Sequence, residues 1–435
     1  MHMQQGISGN KRPRVFFGWY IIGLMIVSMM LVFGIRASFS IFFEPILDYF
    51  DWYRGSTAIM LSLNIFVYGL AAPVAGILVD RWKARTVAVL GILLLSLSTG
   101  ACYFASALWH FYFLFGVLVP IGSAFCASPI LNATVINWFD KRRGMAVGLG
   151  QLGGGLSFVY TLLIEAVISH WDWQVSFLVM GGLTIVVLLP LYLLFFYHRP
   201  EDKGLTAYGS GELSDNRDIT KAHQPARDWT LGAAFKTRQL WLLVFTEVCF
   251  WGLGNYMVLA HQVKFAEDVG YSPILATSIY ALFGFVSIAG QICSSISDSI
   301  GREKTLTIST VLAIGGLVAL MSVRNTSQIW LLYVYAISSG FATGLFSPVI
   351  VVGLADIFRG RNIGTISAML MTGMGFGGAI GPWLGGYIYD KVGSYMIAFT
   401  IAIVAFAVGC VSYWLAAPRK AESLRARLMK PLLKT

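Results

Sequence analysis

Charged side chains are scarce in this sequence: aspartate, glutamate, lysine and arginine together make up 12% of its 435 residues. Soluble domains carry about 25% charged residues, so this composition excludes an ordinary soluble protein. Hydrophobic residues make up 57% of the chain instead. The balance predicts a protein that crosses a lipid bilayer many times.

Cysteine is also rare, and cofactor-binding motifs are missing. The five cysteines stand one by one in apolar segments, which excludes a disulfide framework and a metal cluster. Glycine-rich runs at 148–155 and 373–386 lack the Gly-Lys-Ser/Thr of a phosphate-binding loop. Because no nucleophile–base set is present either, we expect no cofactor, no metal site and no enzymatic activity.

Long apolar runs are what the sequence has in abundance. About 20 apolar residues, at ~1.5 Å each, cover the ~30 Å hydrocarbon core of a bilayer. Hydropathy predicts twelve membrane spans, at 16–43, 57–79, 86–106, 111–137, 144–169, 174–197, 239–265, 273–296, 305–323, 328–354, 363–388 and 394–416.

The polar segments divide the chain and orient it. The predicted division is an N-terminal segment 1–15, a first bundle 16–198, a linker 199–238, a second bundle 239–416 and a basic tail 417–435. Of the 31 lysines and arginines, 26 lie on the side of the termini and linker, and 4 lie on the opposite side. This asymmetry predicts cytoplasmic termini in a plasma membrane, with a bacterial inner membrane expected. The net charge of +10 is explained by this orientation in the membrane, so we expect no nucleic-acid partner.

The two halves of the chain repeat each other. Asp298 corresponds to Asp80 and Pro348 corresponds to Pro129, each pair in a matching loop or span, and the two sequence offsets differ by a single position. A nearly constant offset indicates duplicated halves, and such repeats place a binding site near the midplane between them. The fold expected is therefore an all-α membrane protein of twelve helices in two pseudo-symmetric six-helix bundles.

Two groups of motifs carry a family resemblance. Asp80 and Arg81, after the second span, resemble the loop 2–3 signature of the major facilitator superfamily. Within it, the segment 137–148, Trp19 and the segment 199–202 are similar to the monocarboxylate porters. The resemblance implies uptake or exchange of small carboxylates, such as lactate, pyruvate, oxalate or formate, by alternating access.

The sequence departs from that pattern in the eighth span. Monocarboxylate porters carry an arginine there, often with an aspartate before it, where this chain has Ser287 and Gln291. Lys83 also replaces a glycine of the loop 2–3 signature, and Ser299 replaces an arginine of its second copy. Because of these departures, the sequence supports the assignment to the family more firmly than the identity of the substrate.

Arg36 is the main candidate for binding a substrate. It is the only lysine or arginine clearly inside a predicted span, and we place it in the outer half of that span. A charge at such a depth costs roughly 2.5–3.5 kcal/mol. Its guanidinium can hold a carboxylate with two parallel hydrogen bonds. The alternative is a structural arginine that backbone carbonyls satisfy.

Other polar residues within the spans complete the predicted site. The candidates for substrate hydrogen bonds are His261, Asn132, Gln151, Asn255, Tyr256, Gln291 and Tyr335. For each of these, a hydrogen bond between helices is the alternative. The candidates for carrying a proton are His261, Glu165 and Glu247.

Charged residues of the cytoplasmic loops are predicted to act as a conformational latch. They are Asp80, Arg81, Arg85, Arg142, Arg143, Asp298 and Arg302. Together these patterns predict a secondary active transporter of small monocarboxylates, with proton coupling favoured and a monomer as the functional unit. The alternatives are an anion exchanger of the oxalate/formate type and a transporter-like membrane sensor.

Overall fold

The computed structural model describes residues 16–139, 143–209, 229–358 and 363–420. These residues form helices and short connections, with one isolated β-bridge between Phe139 and Tyr208. The membrane-length helices are α1 (Gly18–Phe50), α2 (Arg54–Arg81), α3 (Ala84–Phe104), α4 (Leu108–Trp138), α5 (Arg143–His170), α6 (Trp173–Phe195), α7 (Arg238–Val269), α8 (Pro273–Ile300), α9 (Arg302–Met321), α10 (Ile329–Ile357), α11 (Ile363–Val392) and α12 (Met396–Ala416).

Eleven of these segments are long and apolar enough to cross a membrane. The remaining one, α11, has 30 residues and is rich in glycine. Helices suit this setting because lipid offers no hydrogen bonds, so each span must satisfy its own backbone groups. The twelve predicted spans are thereby found as helices, with ends that differ by a few residues.

The first span differs most from its prediction. α1 continues to Phe50, well beyond the predicted end at 43, and it is interrupted at Ser38. The Ser38 hydroxyl donates to the Gly34 carbonyl at 2.8 Å, a bond that bends helices. Because the helix is longer, Arg36 lies near its middle rather than in its outer half. The prediction ended the span before Glu44, whose charge is paired inside the protein.

Each half of the chain has its own apolar core. One core is built almost entirely from α1–α6 and the other from α7–α12. The halves meet where α2 packs on α11 and α5 packs on α8. At the first contact, a Cβ atom on Gly69 would lie 3.0 Å from the Cα of Gly375, so small residues allow close approach. The predicted pseudo-symmetric pair of bundles is confirmed.

The halves are joined at one end. We call this the distal end; it carries the α1–α2, α7–α8 and α11–α12 connections, opposite to residues 16 and 420. Arg54 pairs with Asp268 at 2.6 Å, and Lys264 pairs with Glu44. Every hydrogen bond found between two described residues of different halves lies in this distal part of the bundle.

The predicted latch lies at the opposite end. Arg302 pairs with Asp298 at 2.6 Å and with Asp356 at 3.2 Å, which ties α8, α9 and α10 within one half. The guanidinium of Arg85 lies 5.9 Å from the ring of Tyr197. Arg142 and the side chains of Asp80, Arg81 and Arg143 lie outside the described residues. A latch between the halves therefore stays a prediction.

Candidate substrate-binding site

Arg36 lies in the middle of the bundle and is 8% exposed. Its Nε donates to Oδ1 of Asn64 in α2 at 2.8 Å. Asn64 Nδ2 in turn donates to the carbonyl of Phe115 at 2.7 Å. Phe115 belongs to Leu114–Leu118, a π-helical stretch of α4, and such wide turns recur at functional sites. This chain of hydrogen bonds fixes the direction of the guanidinium.

Within the described part of the chain, the positive charge of Arg36 is not balanced by a carboxylate. Among the described residues no aspartate or glutamate forms an ion pair with it. Its guanidinium carbon lies 4.5 Å from the ring centroid of Tyr68 and 5.5 Å from that of Phe33. Aromatic faces offset part of the charge. The two terminal nitrogens of Arg36 make no hydrogen bond to another described residue, and a buried cation of this kind is suited to an anion.

The two rings that face this charge belong to a larger aromatic and apolar wall. Tyr68 and Met374 form a buried cluster with Phe33, Trp251 and Tyr256 packed against it. These side chains come from α1, α2, α7 and α11, so both halves contribute. The Tyr256 hydroxyl lies 3.9 Å from the Met374 sulfur. We call this group the Arg36 pocket; it offers one charge, two phenols and an apolar surface.

Asn255 occupies the position in the second half that corresponds to Arg36, by the same offset that relates Pro348 to Pro129. Its Nδ2 donates to the Phe250 carbonyl at 3.3 Å, and its Oδ1 accepts from Thr343 of α10 at 3.1 Å. The second of these bonds joins α7 to α10. Asn255 therefore serves the helix packing beside the Arg36 pocket, whereas its neighbour in the chain, Tyr256, belongs to the pocket.

Asn132 and Gln151 bind each other across α4 and α5. Gln151 Nε2 donates to Asn132 Oδ1 at 2.9 Å, and Asn132 Nδ2 donates to Ser128 Oγ at 3.0 Å. Ser128 also interacts with the hydroxyl of Tyr68. The pair therefore lies behind the wall of the Arg36 pocket, in the interhelical role that was the alternative for it.

Gln291 and Tyr335 are not brought together with Arg36. Tyr335 is buried in the core of the second half, with its ring 6.1 Å from that of Phe283. Gln291 lies on α8, and its Oε1 is buried without a hydrogen-bond partner. Neither contacts the Arg36 pocket in the described part of the chain.

His261 is fully buried near the distal end rather than beside Arg36. Its Nε2 lies 2.8 Å from the Pro382 carbonyl, which requires the proton on Nε2. Its Nδ1 lies 3.4 Å from the Tyr395 hydroxyl. The ring meets that of Phe43 at 5.1 Å, and Phe43 is the residue that the repeat offset between Asp80 and Asp298 pairs with it. Residues at equivalent positions of α1 and α7 therefore contact each other.

The two candidate acids lie far apart. Glu247 is buried in the second half beside Gly373 of α11, and its Oε2 has no hydrogen-bond partner. Glu165 is 6% exposed and lies near Thr277 of α8 and Glu44 of α1, close to the distal end.

Sequence reasoning missed Asn64 and Tyr68. They stand four residues apart, and therefore on one face of α2. Polar side chains inside an apolar span were the available signal, as for Asn132 and Gln151. The charges of Glu44 and Lys264 were also missed, because each stands near the predicted end of a span, where charge is ordinary.

Comparisons with known proteins agree with this architecture. The family model described as "Major Facilitator Superfamily" matches residues 24–327 and 292–433. "Monocarboxylate transporter 13" of Rattus norvegicus is 24% identical over 396 residues, which cover 90% of this chain and 87% of that protein. "Monocarboxylate transporter 11" of Homo sapiens is 25% identical, over 89% of this chain and 80% of that protein.

A solved structure shares the fold. A bacterial homolog of the human lysosomal transporter Spinster, in an inward-facing and unoccupied conformation, has a TM-score of 0.66 and 17% identity. The match covers 95% of this chain and 97% of that chain. With the family match over nearly the whole sequence, this chain belongs to the Major Facilitator Superfamily and resembles its monocarboxylate transporters.

Proposed function

We propose that this protein is a secondary active transporter of small monocarboxylates that works by alternating access and uses a proton as its coupling ion. The observation that carries the proposal is the buried Arg36, which has an aromatic wall and no carboxylate partner among the described residues. The relatives named as monocarboxylate transporters support the substrate class.

The Arg36 pocket offers groups for both parts of such a substrate, the carboxylate and the short carbon chain. The terminal nitrogens of Arg36 take the carboxylate, while Nε stays with Asn64. Tyr68 and Tyr256 offer hydroxyl groups for a keto or hydroxyl oxygen, and Met374 and Phe33 contact a short carbon chain. Sugars and cations fit this combination poorly, because neither offers a counter-charge to the guanidinium.

The bonds between the halves suggest how access alternates. If the termini are cytoplasmic, the distal end faces outward, and its ion pairs hold the cavity closed on that side. Breaking the Arg54–Asp268 and Lys264–Glu44 pairs would let the halves rotate about the α2–α11 and α5–α8 contacts. In the outward-open state, the cytoplasmic ends of the two halves would then meet. The charged residues that we predict to form a latch would pair there.

Uptake into proteoliposomes tests the activity. Labelled lactate, pyruvate, oxalate and formate are offered with an inward proton gradient, without one, and with unlabelled anion inside. We expect accumulation that depends on the gradient. Uptake that requires the internal anion instead would indicate exchange, and saturable binding without uptake would indicate a sensor. If none of these anions binds or is taken up, the substrate class is wrong.

Arg36→Ala and Arg36→Lys test the site itself. Alanine removes the charge, so uptake should be lost while the protein still inserts and elutes as a single species. Lysine keeps the charge but loses the planar fork and the bond to Asn64, so little uptake should remain. Arg324→Ala, at an exposed arginine of the distal end, is the matched control and should transport normally. Equal substrate affinity in all three variants would make Arg36 structural.

A further inference from the structure

Charged side chains from both halves gather at the distal end, beyond the Arg36 pocket. The first half contributes Glu44, Arg54 and Glu165, and the second half contributes Lys264, Glu267 and Asp268. We call this group the distal cluster. It contains four carboxyl groups and two cations, so its charges do not balance.

Two of the carboxylates satisfy both cations. Asp268 accepts two hydrogen bonds from Arg54, at 2.6 and 3.0 Å, and lies 3.3 Å from Lys264. Glu44 pairs with Lys264. Arg54 also donates to the Tyr395 hydroxyl at 2.7 Å. The two remaining acids, Glu165 and Glu267, therefore have no cation of their own in the cluster.

Glu267 lies beside Glu44. Its Oε2 is buried without a hydrogen-bond partner. Two ionised carboxylates in contact repel each other, so one of the two groups carries a proton. Two carboxyl groups that share one proton are a known way of placing acids in contact.

Glu165 points to the same conclusion independently. It is more than nine-tenths buried, and it lies near both Glu44 and Glu267. It approaches the Thr277 hydroxyl, but that hydroxyl has no hydrogen bond of normal geometry. A buried acid without a firm partner, beside a carboxyl pair, is the nearest further acceptor for a proton.

From this geometry we propose that the distal cluster binds one proton, shared by the carboxyl groups of Glu44 and Glu267, when the halves are closed at that end. Opening moves α1 from α7. The O–H bond of the acid then breaks, its electron pair stays on the carboxylate, and the proton passes to water or to Glu165. The use of this proton in transport rests on the proposed function; its binding does not.

Charged and titratable groups from several helices surround the pair. The groups that face it are Lys264 and Asp268 of α7, Arg54 of α2, Glu165 of α5, Thr277 of α8 and, one layer away, Tyr395, His261 and Asp390. His261 donates to the Pro382 carbonyl, and Asp390 is occupied by the backbone N–H groups of Arg54 and Gly55, at 3.0 and 2.6 Å.

Infrared difference spectroscopy on the full-length protein in lipid vesicles, without substrate, detects the proton directly. As pH rises, the wild type should lose a carbonyl band of protonated carboxylic acid that shifts in D2O. Glu267→Gln and Glu44→Gln should each remove this band. Glu247→Gln changes a buried acid outside the distal cluster and should keep it. If the band persists in both pair variants, the proposal is wrong.

A labelling experiment then links the proton to opening. Ala260 is fully buried in the contact of α7 with the first half, so Ala260→Cys reports opening to an impermeant maleimide. Cys293 and Cys410, the least buried cysteines, are changed to serine in this background. Rates are expressed relative to labelling of the same cysteine in the denatured protein at each pH, because only the thiolate reacts and its fraction rises about tenfold per pH unit. On this scale, release of one proton predicts about a tenfold rise in labelling rate per pH unit. Glu267→Gln should label slowly at every pH.

Two further outcomes separate the possibilities. If sodium at constant pH changes the labelling and pH does not, the cluster binds a metal cation and the proton is excluded. If the band and the labelling behave as expected while no carboxylate is taken up, the proton site stands and the proposed substrate is wrong. If uptake is proton-driven while labelling ignores pH, the proton site lies elsewhere.

Discussion

Asn64→Asp supplies Arg36 with a carboxylate of the protein's own. The change is nearly isosteric, and Oδ1 already lies 2.8 Å from Nε. Opposite charges about 4 Å apart attract by about 4 kcal/mol at an effective dielectric constant of 20. A substrate carboxylate must compete with this partner. Since the hydrogen bond to Asn64 exists already, we expect binding to weaken by about 2–4 kcal/mol, or about 30- to 800-fold.

Equilibrium binding of labelled pyruvate or lactate to the purified protein measures this effect. The melting temperature should rise or stay constant, because the new ion pair neutralises a buried charge. Asn325→Asp is the control: Asn325 is an exposed residue whose Oδ1 accepts from the Ser327 N–H, as an aspartate also would. If Asn64→Asp binds within threefold of the wild type, Arg36 does not hold the substrate carboxylate.

Three further substitutions test other parts of the structure. Arg54→Gln removes the bidentate pair with Asp268, worth about 1.5–3 kcal/mol, and should raise the labelling rate of a distal cysteine at least about tenfold. Gly69→Leu should lower the melting temperature and uptake by overpacking against α11, at a cost of about 1–3 kcal/mol. A Cβ atom on Gly76 would meet no atom within 4 Å, so Gly76→Leu is the control and should be neutral. His261→Ala should lower the melting temperature and leave substrate affinity unchanged, since it removes the hydrogen bond between α7 and the Pro382 carbonyl. A large loss of affinity would return His261 to the substrate site.

Hydropathy and the repeat offset were enough to predict the architecture, because lipid restricts a chain to whole-span helices. The same information identified Arg36, whose charge stands out against apolar neighbours. It did not single out Asn64 or Tyr68, because a polar residue inside a span carries no sign that it faces Arg36 across a helix contact. Nor could it show what surrounds His261. The repeat places that residue about two helical turns beyond the level of Arg36, roughly 10 Å along the axis, but packing alone decides its neighbours.

The distal cluster was invisible for a different reason. Glu44, Arg54 and Lys264 stand near span ends, where a single charge needs no partner to be tolerated. Their pairing depends on how the two halves are rotated against each other. That rotation is a property of the assembled bundle, and no local pattern encodes it.

The contact between Glu44 and Lys264 bears on how such a chain could have arisen from a duplicated half. Their separation along the sequence is close to the repeat offset, so they nearly face each other across the pseudo-twofold axis. In a symmetric dimer, a residue on the axis meets its own copy. Two first halves would set glutamate against glutamate, and two second halves lysine against lysine. Only the mixed pair attracts, so halves expressed as separate chains should assemble as heterodimers.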